Sequence, residues 1–285
     1  IAEKYQIVLP RNQYLLDRIR NPFYLNEYLS QLKDNIDATI SMFNQNVWNG
    51  RICQYHKSAK GKKRENCMMS LAKTRATTQS FYIDYESDEI IESLVEDEII
   101  GYDSQRAQYF ISHDIFEELS LRRWIDIVFN RTKEDFEASR FFSTIGDALA
   151  LRRAFRLWLS DKLIADDSEV RLIISCVHNA NLSVPPFWVD EIITAIILSP
   201  YVSSFFENNE EYLIKNGFEL FQQLLFFLNI SGVDYKPVSH KAAESAPVMI
   251  PVGDGWRCAV NFIGDHKEIL QLNPDLCLDT LNKWT

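Results

Sequence analysis

The sequence lacks any apolar run long enough to span a bilayer, which takes roughly 18 residues. Its most apolar stretch, residues 220–230, is too short for this. Cysteine is scarce, and the five residues of this type are odd in number and scattered along the chain. Scattered thiols are typical of a reduced protein, whereas a secreted disulfide framework needs a paired set. These two features predict a cytoplasmic protein that has no membrane partner.

Self-contained catalytic and metal-binding motifs are also missing. There is no G-x-x-x-x-G-K-[ST] phosphate loop, no G-x-G-x-x-G fingerprint, no H-E-x-x-H and no G-x-S-x-G. Cys53-x-x-His56 with Cys67 hints at zinc, but no further C-x-x-C or H-x-x-x-H pair completes a ligand set. We therefore expect neither a catalytic residue nor a metal site in this chain.

What the sequence does contain is a series of helical patterns, which fall into three predicted domains. The first, residues 1–45, is expected to be a small helical subdomain that begins with a short helix around Leu15 and Ile19. Asn21-Pro22 then predicts a second helix, because asparagine caps helices and proline favours the first helical position. Apolar residues continue at helical spacing to Ile36, so this helix is expected to reach that far.

Residues 46–130 predict a small winged-helix (α+β) domain. Helices are expected over residues 65–76 and 88–95. Residues 98–102 and 109–111 resemble two strands joined by a polar turn, and residues 81–85 alternate like a further strand. Two helices followed by a terminal hairpin favour the winged helix.

The third predicted domain, residues 131–285, is helical throughout and resembles an α-solenoid built of helical repeats. Apolar stripes predict helices over residues 141–163, 169–180, 185–198, 210–228, 256–270 and 274–284. Three prolines mark residues 235–255 as a long loop within that array. The fold class predicted for the whole chain is therefore mainly α.

Charge is unevenly distributed in this acidic chain, whose net charge is -10. Residues 51–75 hold eight basic side chains and one acid, whereas residues 76–105 hold nine acids and no lysine or arginine. If the winged helix bound DNA, its phosphate-contacting cluster would be Lys57, Lys60, Lys62, Lys63 and Arg64. The acidic stretch that follows would repel phosphate, which argues against DNA binding. A DNA-binding transcription regulator is therefore the alternative and not the first interpretation.

The most informative segment is Tyr109–Glu118, in which a short apolar run ends at Ser112-His113-Asp114 and an amphipathic helix begins at once. This junction holds one imidazole at a fixed place, where it could contact a phosphate. Asp114 followed by Glu117 is equally an ordinary helix-capping arrangement.

The order of Arg20-Asn21-Pro22-Phe23-Tyr24-Leu25 and, later, ISHDIFEELSLRRWI resembles the second half of a STAND-class NTPase. These P-loop proteins, related to AAA+ ATPases, include the NACHT and NB-ARC families. The resemblance implies a helical lid, then a winged helix that closes on a His-Asp motif, then a helical-repeat sensor. Arg20 stands where the lid motif of this class commonly has glycine.

The resemblance also implies roles for three residues. Pro22 would pack on the adenine of a bound nucleotide, His113 would contact the β-phosphate of ADP, and Asp114 would orient that turn. ATP or ADP with Mg²⁺ would be held by a nucleotide-binding core upstream of Ile1, since this chain lacks a P-loop. Without that core, this chain alone would not hydrolyse ATP.

Further partners follow from the same resemblance. They are a proteinaceous trigger, such as a phage protein in antiviral defence, and other copies of the protein in an activated homo-oligomer. A non-enzymatic helical scaffold remains a third interpretation, because exposed aromatic residues of the repeats could form a partner surface.

Overall fold

A computed structural model describes residues 8–32, 35–54, 59–163, 167–177, 184–236 and 248–284. The fold is mainly α, as predicted. The chain divides into two compact units, one of Ile1–Ile125 with Ala148–Ala154 and one of Asp126–Asp147 with Phe155–Thr285. The domain boundaries predicted near residues 45 and 130 stay predictions.

The first unit opens with helices that carry clear start signals. They are α1 (Gln13–Arg18), α2 (Pro22–Gln31), α3 (Ile40–Val47), a π-helical turn (Trp48–Cys53), α4 (Ala59–Thr78) and α5 (Glu89–Glu96). Asn21 caps α2, where its Oδ1 accepts a hydrogen bond from the Phe23 amide at 2.9 Å. Asp88 Oδ1 likewise accepts from the amides of Ile90 and Ile91 and caps α5. The helix starts predicted at these residues are confirmed.

The expected length of the second helix is wrong, since α2 ends at Gln31 and does not reach Ile36. Tyr28, in the last turn of α2, contacts the chain on both sides of the helix. Its ring is fully buried, and its hydroxyl donates to the carbonyls of Val8 at 2.9 Å and Asn35 at 3.4 Å. The chain after α2 is therefore tied back beside the helix.

The predicted hairpin is confirmed. Strands β1 (Ile100–Asp103) and β2 (Gln108–Ile111) pair antiparallel, with Ile100 opposite Ile111. Residues 81–85 contribute a single bridge, in which Ile83 exchanges backbone hydrogen bonds of 2.8 and 3.0 Å with Tyr109. Since Tyr109 belongs to β2, the hairpin and this bridge lead directly into the junction at His113.

The remaining helices are α6 (Asp114–Thr132), α7 (Ala138–Ile145), α8 (Leu149–Lys162), α9 (Asp167–Ile174), α10 (Pro186–Ile197), α11 (Val202–Asn208), α12 (Glu210–Ser231), α13 (Gly255–Asp265), α14 (Ile269–Leu272) and α15 (Pro274–Trp284). The single helix predicted over residues 141–163 is wrong, because Gly146 separates α7 from α8 with φ at 87°. Helix α11 was not expected, and α12 is broken by non-helical dihedrals at Lys215–Phe218.

The loop predicted over residues 235–255 is wrong in part. Strands β3 (Val233–Lys236) and β4 (Val248–Pro251) pair antiparallel, with Val233 opposite Pro251. Trp256 supports this hairpin, because its buried indole donates from Nε1 to the Gly232 carbonyl at 2.6 Å.

Aromatic rings form much of the core of the second unit. The buried members of one cluster are Phe129, Phe141, Phe142, Phe155, Trp158 and Trp188. Phe142 stacks on Trp188 with centroids 4.7 Å apart, and Phe129 meets Trp158 at 5.1 Å. These rings join α6, α7, α8 and α10 into one layer of helices.

Within the described ranges, no individual helix combines the length and the apolar character needed to cross a membrane. Among the described helices, one pair, α10 and α11, meets that test together, and the two helices are bent by 103° relative to each other.

Candidate functional site

The two sequence motifs singled out above meet in the first unit. The ring of Phe23, in the first turn of α2, stacks on His113 with centroids 3.9 Å apart and planes inclined by 30°. The buried ring of Phe116 lies edge-on to both, at 5.8 Å from Phe23 and 6.0 Å from His113. A three-ring cluster thus joins the Asn-Pro helix start to the Ser-His-Asp junction.

Local sequence fixes the junction on both sides. The Ser112 amide donates to the Ile99 carbonyl at 3.1 Å, which extends the hairpin by one residue. The Phe116 amide donates to the His113 carbonyl at 3.0 Å, which forms the first turn of α6. Ile111 and Ile115 on either side are buried. The backbone of His113 is therefore held between a strand and a helix.

The side chains at this junction face outward. Pro22, His113 and Asp114 are all exposed. Within the described part of the chain, no protein group hydrogen-bonds to either ring nitrogen of His113. An imidazole that is oriented by stacking but has free nitrogens can donate a hydrogen bond to an anionic oxygen. The exposed imidazole of His113 could therefore donate a hydrogen bond to a phosphate oxygen.

Ion pairs anchor the first turns of α6. Glu118 Oε1 lies 3.0 Å from Arg18 and 3.3 Å from Arg122. Glu117 Oε2 lies 3.1 Å from Arg75 of α4. Burial raises the pKa of the Glu117 carboxyl, and the charge of Arg75 acts in the opposite direction. Glu117 is therefore an anchor between helices and does not complete the capping arrangement expected with Asp114.

A groove of about 390 Å³ lies beside α6 in the same unit. Tyr24, Asp114, Glu117 and Glu118 contribute to its lining, together with Arg153. Of its three carboxylates, Glu117 and Glu118 are paired with arginines. His113 is not part of this lining.

The basic cluster proposed for DNA is only partly described. Lys57 lies outside the described residues. Lys60, Lys62 and Lys63 are exposed near the start of α4, and Lys62 forms an ion pair with Glu65. These lysines are typical of a solvated helix face.

The assignment of Arg64 to that cluster is wrong. Its side chain is 1% exposed, and it donates to the carbonyls of Ile52 at 2.8 Å and Ser93 at 2.9 Å. Its Nη2 also lies 2.8 Å from a carboxylate oxygen of Asp97. Arg64 points inward because these acceptors come from the π-helical turn and the end of α5. It joins elements of the fold and is not available to phosphate.

Two of the three residues of the possible zinc motif, Cys53 and Cys67, are described. Cys53 and Cys67 are both buried, and burial raises the pKa of each thiol to about 11. His56 lies outside the described residues. In the part of the chain that the structure describes, no three His, Cys, Asp or Glu side chains are grouped so as to hold a metal ion.

Phe23 is the member of the site that sequence reasoning missed. Phe23 directly follows the Asn-Pro helix start, but only tertiary packing places its ring against His113. Comparison of the chain with models of known protein families gives no match, and neither does comparison with curated protein sequences.

Proposed function

We propose that this chain is the regulatory and sensor portion of a STAND-class NTPase. The observation that carries the proposal is the Phe23–His113 stack, at 3.9 Å between centroids. The stack holds His113 against the residue that follows Pro22, both Pro22 and His113 are exposed, and the resemblance assigns both to one nucleotide.

In this proposal each residue has a distinct role at the nucleotide. Pro22 packs on the adenine, and His113 donates a hydrogen bond to the β-phosphate of ADP. Asp114 orients the turn from its position in the first turn of α6, where a carboxylate also interacts favourably with the helix dipole. ATP, ADP and Mg²⁺ are bound by a core that precedes these residues in the native protein.

In this proposal the chain acts by switching between a closed and an open conformation. The His113 contact exists only while the winged helix is folded back on the nucleotide, so it favours a closed, ADP-bound state. A trigger that binds only the open state shifts the population toward ATP-dependent activation and homo-oligomerisation. We propose that the native protein is a cytoplasmic sensor that detects phage proteins.

The test is the nucleotide content of the native-length protein that includes this chain. We expect ADP to co-purify with the wild type and to be lost from the His113→Ala variant. Gln105→Ala, an exposed side chain in the turn of the hairpin, is the matched control and should retain ADP. Equal ADP content in wild type and His113→Ala would overturn the proposed role.

A further inference from the structure

The break in helix α12 carries one of the two Asn-Gly pairs of the chain. Asn216, Gly217 and Phe218 follow one another in the left-handed region, with φ at 52°, 69° and 65°. Asparagine and glycine adopt this region readily, whereas a bulky residue rarely does. Packing offsets the conformation of Phe218, because its ring is buried and lies 6.3 Å from that of Phe262.

The Asn-Gly pair at this break is open to solvent. Asn216 and Gly217 are both exposed. In the described structure, a Cβ placed on Gly217 would meet no side chain within 4 Å beyond those of its chain neighbours. The Asn216 side chain donates an exposed hydrogen bond from Nδ2 to Glu219 Oε2 at 3.1 Å. The backbone at Gly217 can therefore rotate without displacing packed groups.

An asparagine that precedes glycine can react with its own backbone. The glycine nitrogen forms a bond to the asparagine Cγ as it loses its proton, the Cγ–Nδ2 bond breaks, and the side-chain nitrogen leaves with that proton as ammonia. Water then opens the resulting five-membered succinimide at either carbonyl and leaves aspartate or isoaspartate. A residue with a Cβ in place of glycine hinders the attack, and a helical backbone hinders it by holding the attacking N–H in a hydrogen bond.

The other Asn-Gly pair, Asn49-Gly50, has the same sequence in a different backbone. It lies inside the π-helical turn Trp48–Cys53, where i→i+5 hydrogen bonds engage the backbone N–H groups. Its surroundings are also closer, since a Cβ placed on Gly50 would lie 3.3 Å from Gln31 Oε1. The two pairs therefore differ in how freely the glycine nitrogen can reach the asparagine side chain.

We propose that Asn216 is a site of spontaneous deamidation, at which the Gly217 nitrogen displaces ammonia and water completes the conversion to aspartate or isoaspartate. The product changes the break in α12. A carboxylate replaces the donor that faces Glu219, and isoaspartate adds one carbon to the backbone just before Phe218. Charge repulsion and the longer backbone both disturb the turn that holds Phe218, so the modification weakens the second unit. This inference does not rest on the nucleotide contact proposed at His113.

Peptide mapping of the 285-residue chain after prolonged incubation at mildly alkaline pH tests the reaction. In the folded protein Asn216 should deamidate about tenfold faster than Asn49, because the hydrogen bonds around Asn49-Gly50 must open first. In urea the two pairs should react at similar rates, which controls for sequence. The products at Asn216 should include isoaspartate, which direct hydrolysis of the amide does not give. An Asn216 that reacts no faster than Asn49 in the folded protein, or that gives aspartate alone, would overturn the proposal.

Variants test the consequence of the modification. Asn216→Asp supplies the aspartate product directly and should lower the melting temperature by about 2–4 °C. Asn261→Asp makes the same change at an exposed position of α13 and should leave the melting temperature unchanged. Asn216→Gln keeps an amide that does not close a five-membered ring, so this variant should stay unmodified after incubation. A melting temperature of Asn216→Asp equal to that of the wild type would contradict the weakening of the second unit.

Discussion

Phe23 and His113 stack with ring centroids 3.9 Å apart, although one belongs to the start of α2 and the other precedes α6. Phe116 lies edge-on to both rings and is itself buried. The stack is therefore supported from the core and open to solvent on the His113 side. This relationship links a helix start that carries Pro22 to a strand-to-helix junction.

A double-mutant cycle measures that link. Phe23→Leu and His113→Ala should show a coupling free energy of about 0.5 kcal/mol or more, because aromatic pairs stabilise by about 0.5–1.5 kcal/mol beyond burial. Urea unfolding of the wild type, the two single variants and the double variant gives this value. Phe23→Leu with Phe81→Leu is the control cycle, since Phe81 stacks on Phe110 and not on Phe23. Strict additivity in the Phe23–His113 cycle would contradict the packing described here.

Arg64 should be a structural residue. Arg64→Ala removes the buried cation beside Asp97 and the hydrogen bonds that Arg64 donates to the Ile52 and Ser93 carbonyls, so we expect a loss of about 3–5 kcal/mol in the free energy of unfolding. Lys63→Ala, at the exposed neighbouring position, should change that free energy by about 0.5 kcal/mol or less. Urea unfolding distinguishes the two. Equal and small effects would mean that Arg64 is not held inside the fold.

Glu169 should make the second unit sensitive to acid. Its oxygens lie 2.8 Å from Lys133 Nζ and 3.0 Å from Lys162 Nζ. The hydrogen bond from Lys133 lowers the pKa of Glu169 from its usual 4.5, with Lys162 acting in the same direction and burial against it. A carboxyl whose pKa is lower in the folded state stabilises the fold at neutral pH, and this stabilisation is lost as pH falls below 4.5.

The measurement is the melting temperature from neutral to acidic pH. Glu169→Gln should melt lower than the wild type at neutral pH, and the difference should shrink as pH falls through the depressed pKa. Glu134→Gln, an exposed residue, is the control and should track the wild type. A constant difference across the range would show that Glu169 does not contribute through its charge.

The thiols should be unreactive in the folded protein. All five cysteines are free and buried. Burial raises the pKa of Cys176 to about 12 and that of Cys53 to about 11, so little thiolate forms at mild pH. Ellman's reagent should therefore label the native chain slowly and all of its cysteines in guanidinium chloride. Rapid labelling of any native thiol would reveal an accessible cysteine and contradict this burial.

Features with local signals could be predicted from the sequence. Asn21-Pro22 and Asp88 mark helix starts because asparagine and aspartate are preferred caps and proline is favoured at the first helical position. The β1–β2 hairpin followed from alternation on both sides of a polar turn. At Gly146 the prediction failed because one residue with a positive φ splits a continuous apolar pattern into two helices.

The candidate sites required tertiary information. Arg64 belongs to a basic run in sequence, and only the carbonyls of Ile52 and Ser93 explain why it points inward. Phe23 gave no sign in the sequence that its ring would meet His113.

The most direct test of the central claim is the rate at which labelled ADP leaves the native-length protein. A hydrogen bond to a charged group contributes about 1.5–3 kcal/mol, so His113→Ala should release ADP about tenfold faster or more than the wild type. Gln105→Ala should release it at the wild-type rate. If His113→Ala and the wild type release ADP at the same rate, His113 does not hold the nucleotide and the proposed switch is wrong.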